Sequence, residues 1–184
     1  MSYIRSTSMK LANLSGKTIA ILVASGFEET TFVGIQRAMM EVEAKLKIVS
    51  REAGLTNAWR GTGWGMSYPA DAKLSTVLAI DYDGLIIPAG KRHIDTLKNE
   101  AHAKRILRAF LREDMPVMLQ GEATAMLRLI DGMGDHAKAE VDNVGGRPVV
   151  NGCLVTVDVA RDDLAELETF DALFGPDFDK SYAA

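Results

Sequence analysis

The sequence predicts an α/β domain with a doubly wound, mostly parallel sheet and helices on both faces. Four short apolar runs, rich in β-branched residues, are typical of strands that are buried on both faces. These runs alternate with segments in which apolar residues recur at helical spacing, which is the pattern of a parallel sheet covered by helices. The chain has 184 residues, of which 47% are hydrophobic and 25% charged, and this suits one globular domain.

The first half of the chain predicts two strands, a helix and a hairpin. Residues 17–24, KTIAILVA, form the first predicted strand, and residues 46–49 form the second. Glu28, Glu29 and Thr30 lead into a predicted helix, because acids in a first turn interact well with the helix dipole. The apolar residues of that helix share one face: Phe32, Ile35, Ala38, Met39 and Val42. Glycines and a proline punctuate residues 51–75, which indicates a small hairpin or excursion.

The middle of the chain continues the alternation. Residues 84–88 and 116–119 are predicted strands, and residues 99–112 between them are a predicted helix. Gly121 is the turn from the fourth strand into a further predicted helix over residues 122–130. The inner face of that helix carries Ala125, Met126, Leu129 and Ile130.

The last third predicts a hairpin and a helix. Asn151-Gly152 separates two β-type runs, residues 149–150 and 154–157, and Asn-Gly at such a position is a hairpin signal. Asp162 and Asp163 are expected to cap a final helix that ends near residue 174. The predicted strands and helices therefore continue to the end of the chain.

Composition restricts the function classes. The net charge is −4, so nothing suggests a nucleic-acid partner, and no apolar run approaches the roughly 20 residues that span a bilayer. Neither nucleic acid nor a membrane is therefore expected as a partner. The one cysteine, Cys153, cannot form an intramolecular disulfide, which fits a reducing compartment and a cytoplasmic location. The three histidines lack the spacing of metal ligands, so neither a metal nor another cofactor is expected.

The first 16 residues differ in character from the rest of the chain. They are polar and mixed, and they lack the apolar stretch of a signal peptide. We expect a flexible N-terminal extension over residues 1–16 and a single domain over residues 17–184. A transit peptide is the alternative for the extension, and Met9 is an alternative start of the protein.

Four segments of the sequence resemble a known family. They are GFEETTF after the first strand, IIPAG after the third, PVMLQGEA at the turn after the fourth, and the closing NGCLVTVDVARDDLAELETF. In order and spacing they resemble the ThiJ/PfpI family, and the resemblance extends from about Lys17 to Phe174. It implies a flavodoxin-like fold of the class I glutamine amidotransferase-like type.

The resemblance also implies which residues stand at the family's active positions. The family presents a cysteine on a strained strand-to-helix turn, the elbow, often followed by histidine and supported by a glutamate from the first helix. Those positions match Gly121, Glu122 and Thr31 here, so all three groups are replaced. Glycine adopts a positive φ without steric cost, so Gly121 suits an elbow with no side chain to present. The Gln-Gly-Glu turn also resembles the C-terminal domain of large-subunit catalases, which lacks the cysteine too.

Several residues remain candidates for binding a ligand. The carboxyl ends of parallel strands carry the site in such folds, and three groups of residues come directly after such ends. They are Glu28 and Glu29, then Gly90, Lys91 and His93, and finally Gly121 and Glu122. Lys91-Arg92-His93 is interpreted as a solvated turn or as cations that bind an anion with the N–H groups of Gly90 and Glu122.

The functional expectation is a member of this family without the nucleophilic cysteine, serving as a binding, regulatory or structural module. The resemblance implies a homodimer, and the ligand expected near the elbow is a small anionic or carbonyl compound. The alternative is a lyase or hydrolase that uses Glu122. An intracellular protease or amidase has no support, because no residue at the elbow can form an acyl-enzyme.

Cys153 is expected to be an inert apolar residue, with redox sensing as the alternative. Trp59, Trp64 and Tyr68 are expected in packing or at a dimer surface.

Overall fold

The computed structural model describes residues 14–130, 148–157 and 163–174. Within them lie ten strands, four α-helices and three 3-10 helices. The strands are β1 (Thr18–Val23), β2 (Phe27–Glu28), β3 (Lys45–Ser50), β4 (Leu55–Trp59), β5 (Trp64–Pro69), β6 (Ala72–Lys73), β7 (Gly84–Ile87), β8 (Val117–Gln120), β9 (Val149–Asn151) and β10 (Leu154–Val157). The α-helices are α1 (Glu29–Glu41), α2 (Lys91–Leu97), α3 (Ala101–Arg112) and α4 (Asp163–Ala172). The 3-10 helices are Leu74–Thr76, Ala79–Asp81 and Gly121–Leu129.

The main sheet has seven strands in the order β6-β3-β1-β7-β8-β10-β9. All neighbouring strands are parallel except β9, which runs antiparallel to β10. The five central strands therefore have the 2-1-3-4-5 order of flavodoxin-like folds. A second sheet of three short strands, in the order β2-β4-β5, lies beyond the end of β1. The fold class predicted from the sequence is confirmed.

The core has two layers because alternate residues of each central strand point to opposite faces. Ile19, Ile21 and Val23 of β1 pack in the same cluster as Phe32 of α1 and Phe170 of α4. On the other face, residues of β1, β7 and β8 pack with α2 and α3. The main members of that second cluster are Ala20, Leu22, Leu85, Ile87, Leu119, Ile94, Leu97, Leu107 and Phe110.

Most of the predicted elements are confirmed. The four buried strands, the helices over α1 and α3, the hairpin of β4 and β5 and the hairpin of β9 and β10 all lie within a few residues of their predicted positions. Gly152 turns the second hairpin with a φ of +60°. α4 begins at Asp163, whereas Asp162, its expected partner in capping, lies outside the described residues. Of the expected N-terminal extension, residues 1–13 are also outside the described residues, whereas Leu14 is buried and donates its N–H to the Val42 carbonyl.

The solvated turn predicted at residues 91–93 was wrong, because the segment begins a helix. Its N–H to carbonyl ladder starts at once, with Ile94 N–H donating to Gly90 O at 3.1 Å. Ile94 and Leu97 bury one face of α2, and Lys91 pairs with Asp95 one turn later. The two apolar residues are too few to give a helical period in the sequence, which is why the pattern did not reveal it.

The helix predicted after the elbow is a 3-10 helix over Gly121–Leu129. The Thr124 hydroxyl donates to the Gly121 carbonyl at 2.9 Å, so a side chain satisfies that carbonyl. The tighter winding also changes which side chains are buried. Met126 is fully buried as predicted, whereas Ala125 and Leu129 are only half-buried.

Candidate functional site

A cleft lies at the carboxyl ends of β1, β7 and β8. The chain moves from β1 to one side of the sheet, to β3, and later to the other side, to β7. A ligand site is expected at such a reversal because the two flanking loops diverge there. The cleft has a volume of about 460 Å³. It is lined by Gly26, Glu28, Thr30, Trp59, Arg60, Gly61, Gly90, Lys91, Arg92 and Glu122.

Two glycines let the loops after β1 and β7 touch each other. Gly90 has a φ of +140°, and a Cβ there would lie 2.8 Å from the Glu28 nitrogen. Gly26 has a φ of +104°, and its Cβ would lie 2.5 Å from that of Arg92. The Glu28 N–H donates to the Ala89 carbonyl at 3.0 Å across the same contact. Any side chain at either glycine would therefore push the two loops apart.

The turn after β8 carries no side chain and is followed by a carboxylate. Gly121 has a φ of +51°, the left-handed conformation that glycine adopts most readily. Next to it, Glu122 accepts a hydrogen bond through Oε2 from the Gly90 N–H at 3.0 Å. The Gly90 N–H, which the sequence offered as an anion donor, is thus already bound to a carboxylate of the same chain.

His93 is not part of the cleft surface. Its side chain is fully buried on the inner face of α2, where Nε2–H donates to the Pro88 carbonyl at 2.7 Å. Burial lowers the pKa of His93 from its ordinary value of 6.5 to about 4, against the smaller raising effect of the Pro88 bond. The imidazole is therefore neutral at pH 7. The expectation of a cation at His93 was wrong, because the residue lies on the inner face of a helix.

The other cations of the cleft differ in their partners. Lys91 pairs with Asp95 at 2.6 Å, and Arg60 pairs with Glu29 at 2.8 Å. Arg92 has no carboxylate within 4.0 Å in the described part of the chain, and its guanidinium carbon lies 3.8 Å from the centroid of the Trp59 ring. Of the three, Arg92 is the one without an ion pair to a described residue.

Glu28 and Glu29 have different positions although they are adjacent. Glu28 is exposed and lines the cleft, and in β2 it lies opposite Trp59. The Glu29 carboxylate binds Arg60 and also accepts the Met66 N–H at 2.6 Å. The hydrogen bond from Arg60 is the main reason that the pKa of Glu29 lies below its ordinary value. Glu29 therefore fastens α1 to the β4–β5 hairpin.

Thr31 and Cys153 both lie away from the cleft. Thr31 is buried in the first turn of α1. Cys153 is buried just before β10, beside the beginning of β8, so about four residues of sheet separate it from the elbow at the end of β8. Burial raises the pKa of the Cys153 thiol to about 11, so the reactive thiolate is scarce at pH 7.

The sequence missed the part of the cleft wall that is formed by Trp59 and Arg60. β4 runs parallel to β2, and this pairing brings Trp59 next to Glu28. The signal in the sequence is a Trp-Arg pair at the end of a short strand, which a packed surface residue shows equally well. Trp59 does pack against Trp64, with ring centroids 5.3 Å apart. In the described residues, no group of three metal-ligating side chains is present. No described helix is long and apolar enough to cross a bilayer.

Comparison with known proteins gives a family match over most of the chain. The model of the DJ-1/PfpI family matches residues 17–165. Catalase HPII of Mycobacterium avium is 25% identical over 156 residues, which are 83% of this chain and 20% of the catalase. General stress protein 18 of Bacillus subtilis is 28% identical over 102 residues, which are 55% of this chain and 58% of that protein. The chain thus spans about a fifth of the first relative and somewhat over half of the second.

Solved structures show the same fold. The ThiJ/PfpI domain protein from Brachyspira murdochii aligns over 87% of this chain and 96% of its own, with a TM-score of 0.71 and 15% identity.

Proposed function

The chain belongs to the DJ-1/PfpI family, and from this premise we propose that it acts without thiol chemistry at the elbow, as a binding, regulatory or structural module. One observation carries the proposal. At the elbow, Gly121 has a positive φ and no side chain, and the adjacent Glu122 carboxylate holds the Gly90 N–H. The elbow thus lacks a nucleophile for acyl transfer. The Gly90 N–H, which would be expected to bind an oxyanion, is already bound to the negatively charged Glu122 carboxylate.

Both features oppose acyl transfer for a physical reason. A covalent mechanism needs a nucleophile beside the substrate carbonyl, and Gly121 supplies none. It also needs N–H groups aimed at the developing negative charge. The Glu122 carboxylate occupies the Gly90 N–H at 3.0 Å and would repel an oxyanion placed there. Cys153 lies at the other end of the sheet and is buried, so it does not replace the missing group.

A second candidate function is an enzyme, a lyase or hydrolase, that uses Glu122 in place of the thiol. The observation that favours it is the open cleft, because Glu122 and Glu28 both line it. The hydrogen bond from Gly90 favours the binding module, since it gives Glu122 a structural partner. We therefore keep the enzyme as the alternative and the module as the main proposal.

We further propose the setting in which the module works. It is cytoplasmic and forms a homodimer, it binds a small anionic or carbonyl compound near the elbow, and it uses neither nucleic acid nor a membrane. The net charge of −4 supports the exclusion of nucleic acid. The match to catalase HPII supports the proposed similarity between this elbow and that of the C-terminal domain of large-subunit catalases.

A turnover assay separates the two functions. The purified chain is incubated with peptide, amide and glycated substrates, in parallel with Glu122→Gln and with Glu41→Gln as a control on the far end of α1. The module predicts no turnover by any of the three. Turnover by the wild type and by Glu41→Gln that is lost in Glu122→Gln would overturn the proposal in favour of the enzyme.

A further inference from the structure

Arg92 differs from the other cations of the cleft in having no acidic partner among the described residues. Its guanidinium carbon lies 3.8 Å from the centroid of the Trp59 ring, whereas Arg60 and Lys91 form ion pairs. A guanidinium that stacks on an aromatic ring uses its flat face for that contact. Its N–H donors lie in the plane of the group and remain available to a carboxylate as a two-pronged fork.

The stacked pair is held in place from two sides. Trp59 packs edge-on against Trp64, with ring centroids 5.3 Å apart at 89°, and this contact limits the orientations of the indole. Arg92 sits in the first turn of α2, where Gly26 leaves room for its Cβ. A guanidinium that already rests on a ring loses less conformational entropy on binding than a free one does, so this arrangement suits recognition of an anion.

The Glu122 side of the cleft has the opposite character. The Glu122 carboxylate accepts the Gly90 N–H, and Glu28 lines the same cleft. A ligand anion placed at this side would meet carboxylate oxygens in place of donors. Groups that donate hydrogen bonds, such as a hydroxyl or an ammonium, fit there instead.

We propose that the cleft binds a small carboxylate that also carries a hydroxyl or an amino group. The carboxylate lies on the Arg92 fork above Trp59, and the hydroxyl or ammonium group faces Glu122. The volume of about 460 Å³ suits a compact metabolite. This inference rests on the proposed function, since it names the ligand class of a site that binds without thiol chemistry.

Isothermal titration calorimetry on the full chain tests the ligand class with matched compounds of two, four and six carbons. Each set holds a hydroxy acid, the plain carboxylate and the polyol, for example gluconate, hexanoate and sorbitol, and glycine and inorganic phosphate are added. A hydroxy or amino acid is expected to bind tightest, with a dissociation constant below about 1 mM. The inference is overturned if phosphate, a plain carboxylate or a polyol binds best, or if nothing binds.

Variants test the named residues. Arg92→Gln is expected to weaken the best ligand about tenfold to a hundredfold, since it removes a charge-assisted fork. Trp59→Phe is a second test that keeps every charge and should weaken the same ligand by a smaller factor. Arg108→Gln removes an equal charge from the exposed surface of α3 and serves as the control. Equal affinities for the wild type and Arg92→Gln, or equal losses for Arg92→Gln and Arg108→Gln, contradict the inference.

The same samples separate this inference from the proposed function. After each titration, the ligand is recovered and examined by NMR. Unchanged ligand with Arg92-dependent binding supports both proposals. If the ligand is chemically converted and its binding still depends on Arg92, only the non-catalytic function is overturned. If the ligand is unchanged and its binding does not depend on Arg92, only the ligand assignment is overturned.

Discussion

His93 shows how a single residue can join the stability of the fold to the loop that shapes the cleft. The side chain is fully buried and its Nε2–H holds the Pro88 carbonyl at 2.7 Å, shortly before α2 begins. The segment between Pro88 and α2 contains Gly90, whose N–H contacts Glu122. The neutral imidazole thus binds the loop before α2 on its buried side. On the cleft side of the same loop, the Gly90 N–H binds Glu122.

We expect this burial to make the protein acid-sensitive in a defined range. The pKa of His93 is about 4 in the fold against 6.5 for an ordinary histidine, so between these values the unfolded chain binds the extra proton and the fold does not. The free energy of unfolding should fall by about 1.4 kcal/mol per pH unit as the pH falls through that range, about 3 kcal/mol in all. Urea unfolding from pH 7.5 to 4 measures it.

His93→Gln removes the titrating group while keeping a donor for Pro88. Its free energy of unfolding should fall less steeply over that range than that of the wild type. His102→Gln, on the partly exposed surface of α3, is the matched control and should behave like the wild type. The same slope in the wild type and His93→Gln would show that His93 does not titrate differently in the two states.

Among the elements, the β4–β5 hairpin is fastened to α1 by one carboxylate. Glu29 binds Arg60 and the Met66 N–H, and a Cβ at Gly65 would collide with its oxygen. The pKa of Glu29 is held below its ordinary value by Arg60, so this stabilisation is present above that ordinary pKa and is lost as the pH falls through the lower one. The hairpin carries Trp59 and Arg60 into the cleft, so this contact positions a wall of the site.

Removing the carboxylate should loosen the hairpin without unfolding the domain. In Glu29→Ala, the Met66 amide is expected to exchange its hydrogen with solvent several-fold faster at pH 7, because its acceptor is gone. Glu41→Ala, at the exposed end of the same helix, is the control and should leave the Met66 rate unchanged. Unchanged exchange in Glu29→Ala would contradict this role of Glu29, because the Met66 amide would then be protected by the hairpin itself. Hydrogen-exchange NMR reads the amide directly.

The elements also show where sequence reasoning works. Strands such as KTIAILVA are continuous apolar runs because both of their faces are buried, and that cause is local enough to be visible in the sequence. The sequence did not predict α2, because only Ile94 and Leu97 give this helix an apolar face. Gly90, just before the helix, also has an unusual φ of +140°. Periodicity cannot report a helix that is fixed mainly by its contacts with neighbouring loops.

For the whole molecule, the sequence could predict the place of the site but not its chemistry. The rule that ligands bind beyond the carboxyl ends of parallel strands led to Gly90, Glu122 and Glu28, and all three line the cleft. The pairing of Glu122 with Gly90 and the stacking of Arg92 on Trp59 depend on long-range geometry. The first of these contacts joins residues that are 32 positions apart, and a single sequence does not indicate that two such distant residues are in contact.

The central claim at this scale is that the fold carries no activated thiol at its elbow. Two positions support this claim. Gly121 presents no side chain, and Cys153 is buried with a pKa of about 11 at the opposite end of the strands. An activated elbow cysteine would have its pKa lowered by the helix start and would be exposed. Its absence favours the proposed binding module over a thiol enzyme built on the same sheet.

The most direct test is intact-protein mass spectrometry after brief treatment with iodoacetamide at pH 7. We expect no adduct on the folded wild type, one adduct after unfolding in urea, and rapid single labelling of folded Gly121→Cys, which restores a thiol at the elbow as a positive control. Stoichiometric labelling of the folded wild type at a rate similar to that of Gly121→Cys would contradict the account, because Cys153 would then be an exposed, activated thiol.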